Sequence, residues 1–217
     1  MLDERLIAVH CHGATPEERA RIADRGARVI GCPSSIAAID GIVGPITEFL
    51  EEGTTVGLGT DQAPGSGGHE MLRELRTASL LSKTDRGDPT SLPAWKALDL
   101  GTVGGARALG LADRVGTIEV GKRANLAVFP LDTPSVASAV GEPLHTAVPN
   151  LVYGGARAET VLVDGQPVFL DGKFTALDGR AILEEANERA RALFGRASED
   201  WRKAGSKLVS DVEAGWL

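Results

Sequence analysis

The stretch Thr54-Thr55-Val56-Gly57-Leu58-Gly59-Thr60-Asp61-Gln62-Ala63-Pro64-Gly65 dictates the layer architecture of the chain. Its first half alternates β-branched or apolar residues with glycine and carries no charge. That is the pattern of a strand buried on both faces of a parallel sheet. Its second half, with Pro64, Gly65, Gly67 and Gly68, is a loop. Asp61 stands at the junction, at the C-terminal tip of the strand. In an α/β barrel that rim carries the catalytic groups. A carboxylate there can ligate a divalent metal and take a proton from its bound water. By spacing alone, a helix cap or an Asx turn explains Asp61 equally well.

The flanking segments keep the same rhythm. Leu6-Ile7-Ala8-Val9 reads as a short buried strand ending at His10. Thr15 caps a helix reaching about Arg25, with Pro16 in its first turn and Glu18 completing a capping box. Residues 27–31 form the next strand, and Cys32-Pro33-Ser34-Ser35 is its rim loop. Helices are expected over 43–52, over 70–83 with Met71, Leu75 and Ala78 buried, and over 93–109. Strand and helix alternating three times argue a parallel sheet. Beyond Gly110 short strands are expected at 116–118, 125–129, 159–163 and 167–170, with turns at Asp164-Gly165 and Asp171-Gly172. Residues 178–209 are charged and helical, interrupted near Gly195 and Gly205.

Several stretches together resemble one family. Gly59-Thr60-Asp61-Gln62-Ala63-Pro64-Gly65, followed by Met71-Leu72-Arg73-Glu74-Leu75-Arg76, resembles the eighth-strand motif of the amidohydrolase superfamily. The branch is that of the triazine hydrolases and the 5-methylthioadenosine/S-adenosylhomocysteine deaminases. Further matching pieces are Ala8-Val9-His10-Cys11, Cys32-Pro33-Ser34-Ser35, Pro93-Ala94-Trp95-Lys96-Ala97-Leu98, Gly105-Ala106-Arg107-Ala108-Leu109-Gly110-Leu111, Gly116-Thr117-Ile118-Glu119-Val120-Gly121-Lys122 and Val148-Pro149-Asn150-Leu151-Val152-Tyr153. They occur in the family's order. The resemblance implies an α/β fold in three parts. Residues 1–112 would be the C-terminal portion of a (β/α)8 TIM-like barrel, strands 6–8. Residues 113–177 would be part of a small β-sandwich domain, and 178–217 a terminal helical segment.

The implied activity is metal-dependent hydrolysis of a C–N bond, a deamination, on an aromatic heterocycle such as a purine, nucleoside or triazine. Triazine dechlorination and guanine deamination are variants of the same chemistry. The resemblance implies one divalent metal ion, zinc or iron. It makes Asp61 a metal ligand and proton acceptor, His10 the sixth-strand histidine that orients the attacking water, and Ser66 and His69 substrate contacts. Family members usually carry Asn where Ile36 stands. Members that bind adenosine-type substrates often have a serine where Gly65 stands, which weakens the nucleoside reading.

A whole barrel takes about 250 residues, roughly 30 per strand–helix unit. Residues 1–110 hold three such units. The family's first-strand His-x-His and fifth-strand His have no counterpart. His10-Cys11-His12 has the spacing of the first-strand pair, but His10 and Asp61 are only 51 positions apart. That is room for two units, so His10 matches the sixth strand and His12 falls in the loop beyond. Three alternatives remain: a non-catalytic fragment, one subunit of a split enzyme, and a rebuilt site using His10, His12 and Asp61.

The 217 residues suffice for a real core. A net charge of −7 with mixed signs gives no reason to expect a nucleic-acid or membrane partner. No apolar run approaches the ~20 residues of a membrane span, and the N-terminus lacks a signal-peptide pattern. Two cysteines, Cys11 and Cys32, make no disulfide scaffold and fit a reducing cytoplasm. The expected partners are a small heterocyclic substrate and either a second copy of the chain or a missing N-terminal half.

Overall fold

Strands β1 (Ile7–Val9), β2 (Arg28–Gly31) and β3 (Thr55–Leu58) form a parallel sheet in chain order. Ala8 pairs with Val29 and Val29 with Val56, so one register row crosses all three. Parallel neighbours need a crossover. Helix α1 (Pro16–Asp24) joins β1 to β2, and α2 (Pro33–Ile39) with α3 (Ile46–Glu51) joins β2 to β3. Helices α4 (Met71–Arg86), α5 (Ala94–Gly101) and α6 (Val103–Ala108) follow. This computed structural model describes residues 2–63, 67–136 and 145–215. It contains two compact units, Met1–Pro167 and Val168–Leu217.

In the first unit, Thr15 starts α1 as its sequence demands. Its hydroxyl accepts from the Glu18 amide while the Glu18 carboxylate accepts from the Thr15 amide. The core gathers Val29 and Val56 from the sheet with Phe49, Leu75, Ala97 and Leu100 from the helices. Gly57 in β3 lets α6 come close, since a Cβ there would stand 3.0 Å from Gly105 Cα. Buried Ser79 donates to the Leu92 carbonyl at 2.6 Å, so the Tyr153 hydroxyl, 2.8 Å away, donates to Ser79. That ties α4 to α7 (Ala147–Gly154). Further along, β4 (Leu126–Val128) pairs antiparallel with β5 (Thr160–Val163). Both residues of the Asp164-Gly165 turn have positive φ, as a tight hairpin connection requires.

The second unit begins within β6 (Gln166–Leu170), whose Phe169 faces Phe174 of β7 (Lys173–Phe174) with ring centroids 5.2 Å apart. Helix α8 (Gly179–Lys203) is capped by Asp178 and followed by α9 (Leu208–Glu213). Among the described residues, no helix is long and apolar enough to cross a membrane.

Several expectations need correction. β1 is not buried: Val9 is 52 % exposed, because β2 is the strand's one neighbour among the described residues. Residues 32–35 are not a loop but the start of α2, where Pro33 takes the first helical position it suits. The helix expected at 93–109 breaks into α5 and α6 at Thr102, whose φ of −123° and ψ of −100° are not helical. Residues 116–118 form no strand: Gly116 turns at φ 101°, and Ile118 is exposed. α8 runs through Gly195 without interruption. On α4, Leu75 and Ala78 are buried as expected, but Met71 is outside and Leu72 and Glu74 are inside.

Candidate functional site

The C-terminal ends of β1 and β3 bring His10 and Asp61 together. His10 Nε2 lies 3.7 Å from Asp61 Oδ2, and each side chain is a little over a quarter exposed. The gap exceeds a direct hydrogen bond, yet both groups can reach one oxygen atom beside them. The backbone is strained to place them. His10, Cys11 and Asp61 have φ of 68°, 50° and 56°, a conformation that costs a non-glycine residue about 1–2 kcal/mol. Strain of this kind collects where function over-determines the chain. Asp61 itself lies three positions past the end of β3, in the loop rather than at the strand tip.

A residue that the sequence reading left in a loop completes the contact. Ser35, 1 % exposed on α2, donates its hydroxyl to Asp61 Oδ2 at 2.5 Å. That bond, helped by the Gln62 amide and by His10, holds the Asp61 carboxyl below the usual carboxylate range, against a smaller opposing effect of burial. Asp61 is therefore ionised at neutral pH and available as a base. Proline at the first helical position was the signal that could have revealed Ser35: it turns 32–35 into a helix start and puts Ser35 one turn in.

The other predicted residues divide. His12 lies with its ring centroid 6.3 Å from that of His10 and its Nε2 4.0 Å from Asp40 Oδ2 at the C-terminal end of α2. His69 is exposed, with Nδ1 3.1 Å from the Thr60 hydroxyl, so it stands beside the residue preceding Asp61. Ser66 lies outside the described residues. Cys32 is buried beneath the site. Burial, with the charges of Asp61 and Glu74, pushes its thiol up to about 11, so little of the thiolate that a nucleophile needs is present at neutral pH.

Comparison with known proteins gives the family. The Amidohydrolase family model matches residues 1–168. The chain belongs to the amidohydrolase family. It is 38 % identical over 191 residues to 5-methylthioadenosine/S-adenosylhomocysteine deaminase of Desulforudis audaxviator, a match covering 87 % of this chain and 43 % of that protein. Among solved structures it is similar to an adenosine deaminase from Xanthomonas campestris with bound zinc, at TM-score 0.80 and 33 % identity over 88 % of this chain and 43 % of that one. It is also similar to atrazine chlorohydrolase from Arthrobacter aurescens complexed with zinc, at TM-score 0.74 and 26 % identity over 86 % of this chain and 41 % of that one. The chain spans less than half the length of the amidohydrolases it matches.

Both solved relatives hold zinc. A catalytic zinc site needs three protein ligands. Among the described residues, no group of three or more His, Cys, Asp or Glu side chains could hold a metal ion. His10, His12 and Asp61 therefore do not stand as a three-ligand group here, although the His10 and His12 rings lie 6.3 Å apart. This amidohydrolase segment by itself does not fit the metal.

Proposed function

We propose that this chain carries the His10–Asp61 part of the active site of an aminohydrolase that removes an amino group from an aromatic heterocycle, with a purine or its nucleoside as first choice and a triazine as second. The supporting observation is the convergence of His10, just past β1, and Asp61, in the loop past β3, to 3.7 Å across the C-terminal edge of the sheet. Asp61, ionised and held by Ser35, accepts the proton of the attacking water. His10 orients that water, or the ring nitrogen it adds beside, by hydrogen bonding through Nε2. His69, beside Thr60, is assigned to substrate contact, as is Ser66, which lies outside the described residues. The reading assigns this segment to the last three units of a (β/α)8 barrel, with residues 113–177 a small β domain and 178–217 a helical tail. A zinc or iron ion belongs to the whole enzyme. Asp61 would be one of its ligands, and the others would come from residues outside this chain's described set.

A second reading, in which a separate polypeptide supplies the remainder of the barrel and the ligands, fits the same matched share of each relative. One experiment addresses both. The chain is joined to, or co-expressed with, the front half of the Desulforudis relative, and ammonia release is followed from adenosine, 5-methylthioadenosine, guanine and an aminotriazine. Turnover is expected in the joined protein and is abolished by Asp61→Asn. Undiminished turnover in that variant sinks the role of Asp61. No turnover with any substrate removes the enzymatic reading.

A further inference from the structure

Glu74 is fully buried on α4, and nothing in the chemistry above uses it. Its Oε2 accepts the backbone N–H of Ser34 at 3.1 Å, across 40 positions of chain. Ser34 is the second residue of α2, where the amide has no partner within the helix. Cys32, the capping residue, makes no side-chain cap bond. A carboxylate is also the group that the positive end of a helix favours. One turn further along α4, Thr77 Oγ1 meets the Ser34 hydroxyl at 3.2 Å. Two residues of α4 thus grip one residue of α2. The next residue is Ser35, whose hydroxyl reaches Asp61.

Packing alone does not explain a glutamate here. Its Oε1 is buried without a hydrogen-bond partner among the described residues. Burying a carboxylate costs more than one amide returns, and an apolar side chain of similar volume would fill the space without that cost. What the position uses is an acceptor at one atom. We infer that Glu74 is a positioning residue: by holding the Ser34 amide it fixes the first turn of α2 and aims the Ser35 hydroxyl at Asp61. The inference rests on Asp61 being the working carboxylate of the proposed site.

Hydrogen exchange at the Ser34 amide in the 217-residue chain tests the grip. Glu74→Leu should speed that exchange on the order of tenfold, the loss of about one hydrogen bond. Glu74→Gln keeps an oxygen that can accept and should stay within about threefold of the parent. Ser35→Ala should leave Ser34 exchange unchanged, because the grip comes from α4. Should the leucine variant fail to fold, Glu74→Asp, whose shorter stem draws the carboxylate back from Ser34, takes its place with the same expected rise. Equal exchange in the glutamine and leucine (or aspartate) variants overturns the proposal, and so does a Ser34 amide freed by Ser35→Ala. A double-mutant cycle tests the aim: the drop in melting temperature on Ser35→Ala should shrink once Glu74 is leucine or aspartate. Equal drops in both backgrounds would show that Glu74 does not act through Ser35. Neither measurement reads turnover. An inactive joined enzyme therefore defeats the proposed function while leaving this inference intact, and unchanged Ser34 exchange does the reverse.

Discussion

Alanine at Gly57 probes the platform beneath the rim. Gly57 is buried in β3, and an added Cβ would stand 2.9 Å from Ile30 Cδ1, 3.0 Å from Gly105 Cα and 3.2 Å from Ala108 Cβ. The Ile30 methyl is the far end of a flexible side chain and can turn aside. Gly105 Cα is backbone, so α6 must move away from the strand. Overpacking of this kind costs about 1–3 kcal/mol. Alanine returns about 0.5–1 kcal/mol over glycine through the lower entropy of the unfolded chain. The net expectation is a loss of about 1–2 kcal/mol, with the melting temperature falling by about 2–4 °C for each of them in a chain of this size. Gly13→Ala is the matched control, because nothing lies within 4 Å of its Cβ. There the change should be neutral or stabilising by less than about 1 kcal/mol. Thermal and urea unfolding followed by circular dichroism measure both, with an unchanged urea slope required for the comparison. A Gly57→Ala chain as stable as the Gly13→Ala chain would refute the close seating of α6 on β3, and with it the fixed base from which the loop to Asp61 departs.

Three further outcomes are expected. Thr15→Ala removes one half of the capping box and should cost about 1 kcal/mol, read as a shift in the urea midpoint; no shift would mean that the Thr15–Glu18 exchange does not form in solution. The Cys32 thiol, pushed up to about 11 from the model-peptide value of 9.0, should hold about a hundredfold less thiolate than an ordinary cysteine at pH 8, so alkylation there should mark Cys11 first. Between pH 9 and 11 the unfolded chain loses that proton while the folded chain keeps it, so stability should fall as pH rises through this window; a Cys32→Ala chain with the same alkaline fall would assign it elsewhere. The exposed apolar edge of β1, with Leu6, Ile7 and Val9, invites strand pairing, and the 217-residue chain should self-associate or bind a hydrophobic dye. Val9→Lys should reduce both on size-exclusion chromatography with light scattering, and a monodisperse, dye-free parent would show that the edge is harmless.

The elements legible in the sequence are those whose signal is local. Short runs with β-branched residues fix β2 and β3, Thr15 with Glu18 fixes the start of α1, and Asp-Gly pairs fix the tight turns at 164–165 and 171–172. Asp61 stands out as an acid after an uncharged strand, but spacing alone leaves a cap or turn equally open, and the pairing of His10 with it comes from the family resemblance; the structure sets the two 3.7 Å apart. What the pattern missed depends on which way a helix faces. The apolar residues of α4 permit a face centred on Met71, Leu75 and Ala78, but packing against α2 and α5 turns Leu72 and Glu74 inward and leaves Met71 outside. Nothing in a one-dimensional period tells a charged residue on a solvent face from one that meets an amide of another helix 40 positions away. α2 itself is only seven residues long, too short to show a helical period, so the sequence pattern alone reads Ser35 as loop and gives no sign of its line to Asp61. These two misses share a cause. Glu74 is hidden because burial contradicts its polarity, and burial is also what makes its single bond to Ser34 strong enough to matter, since water is not there to take its place.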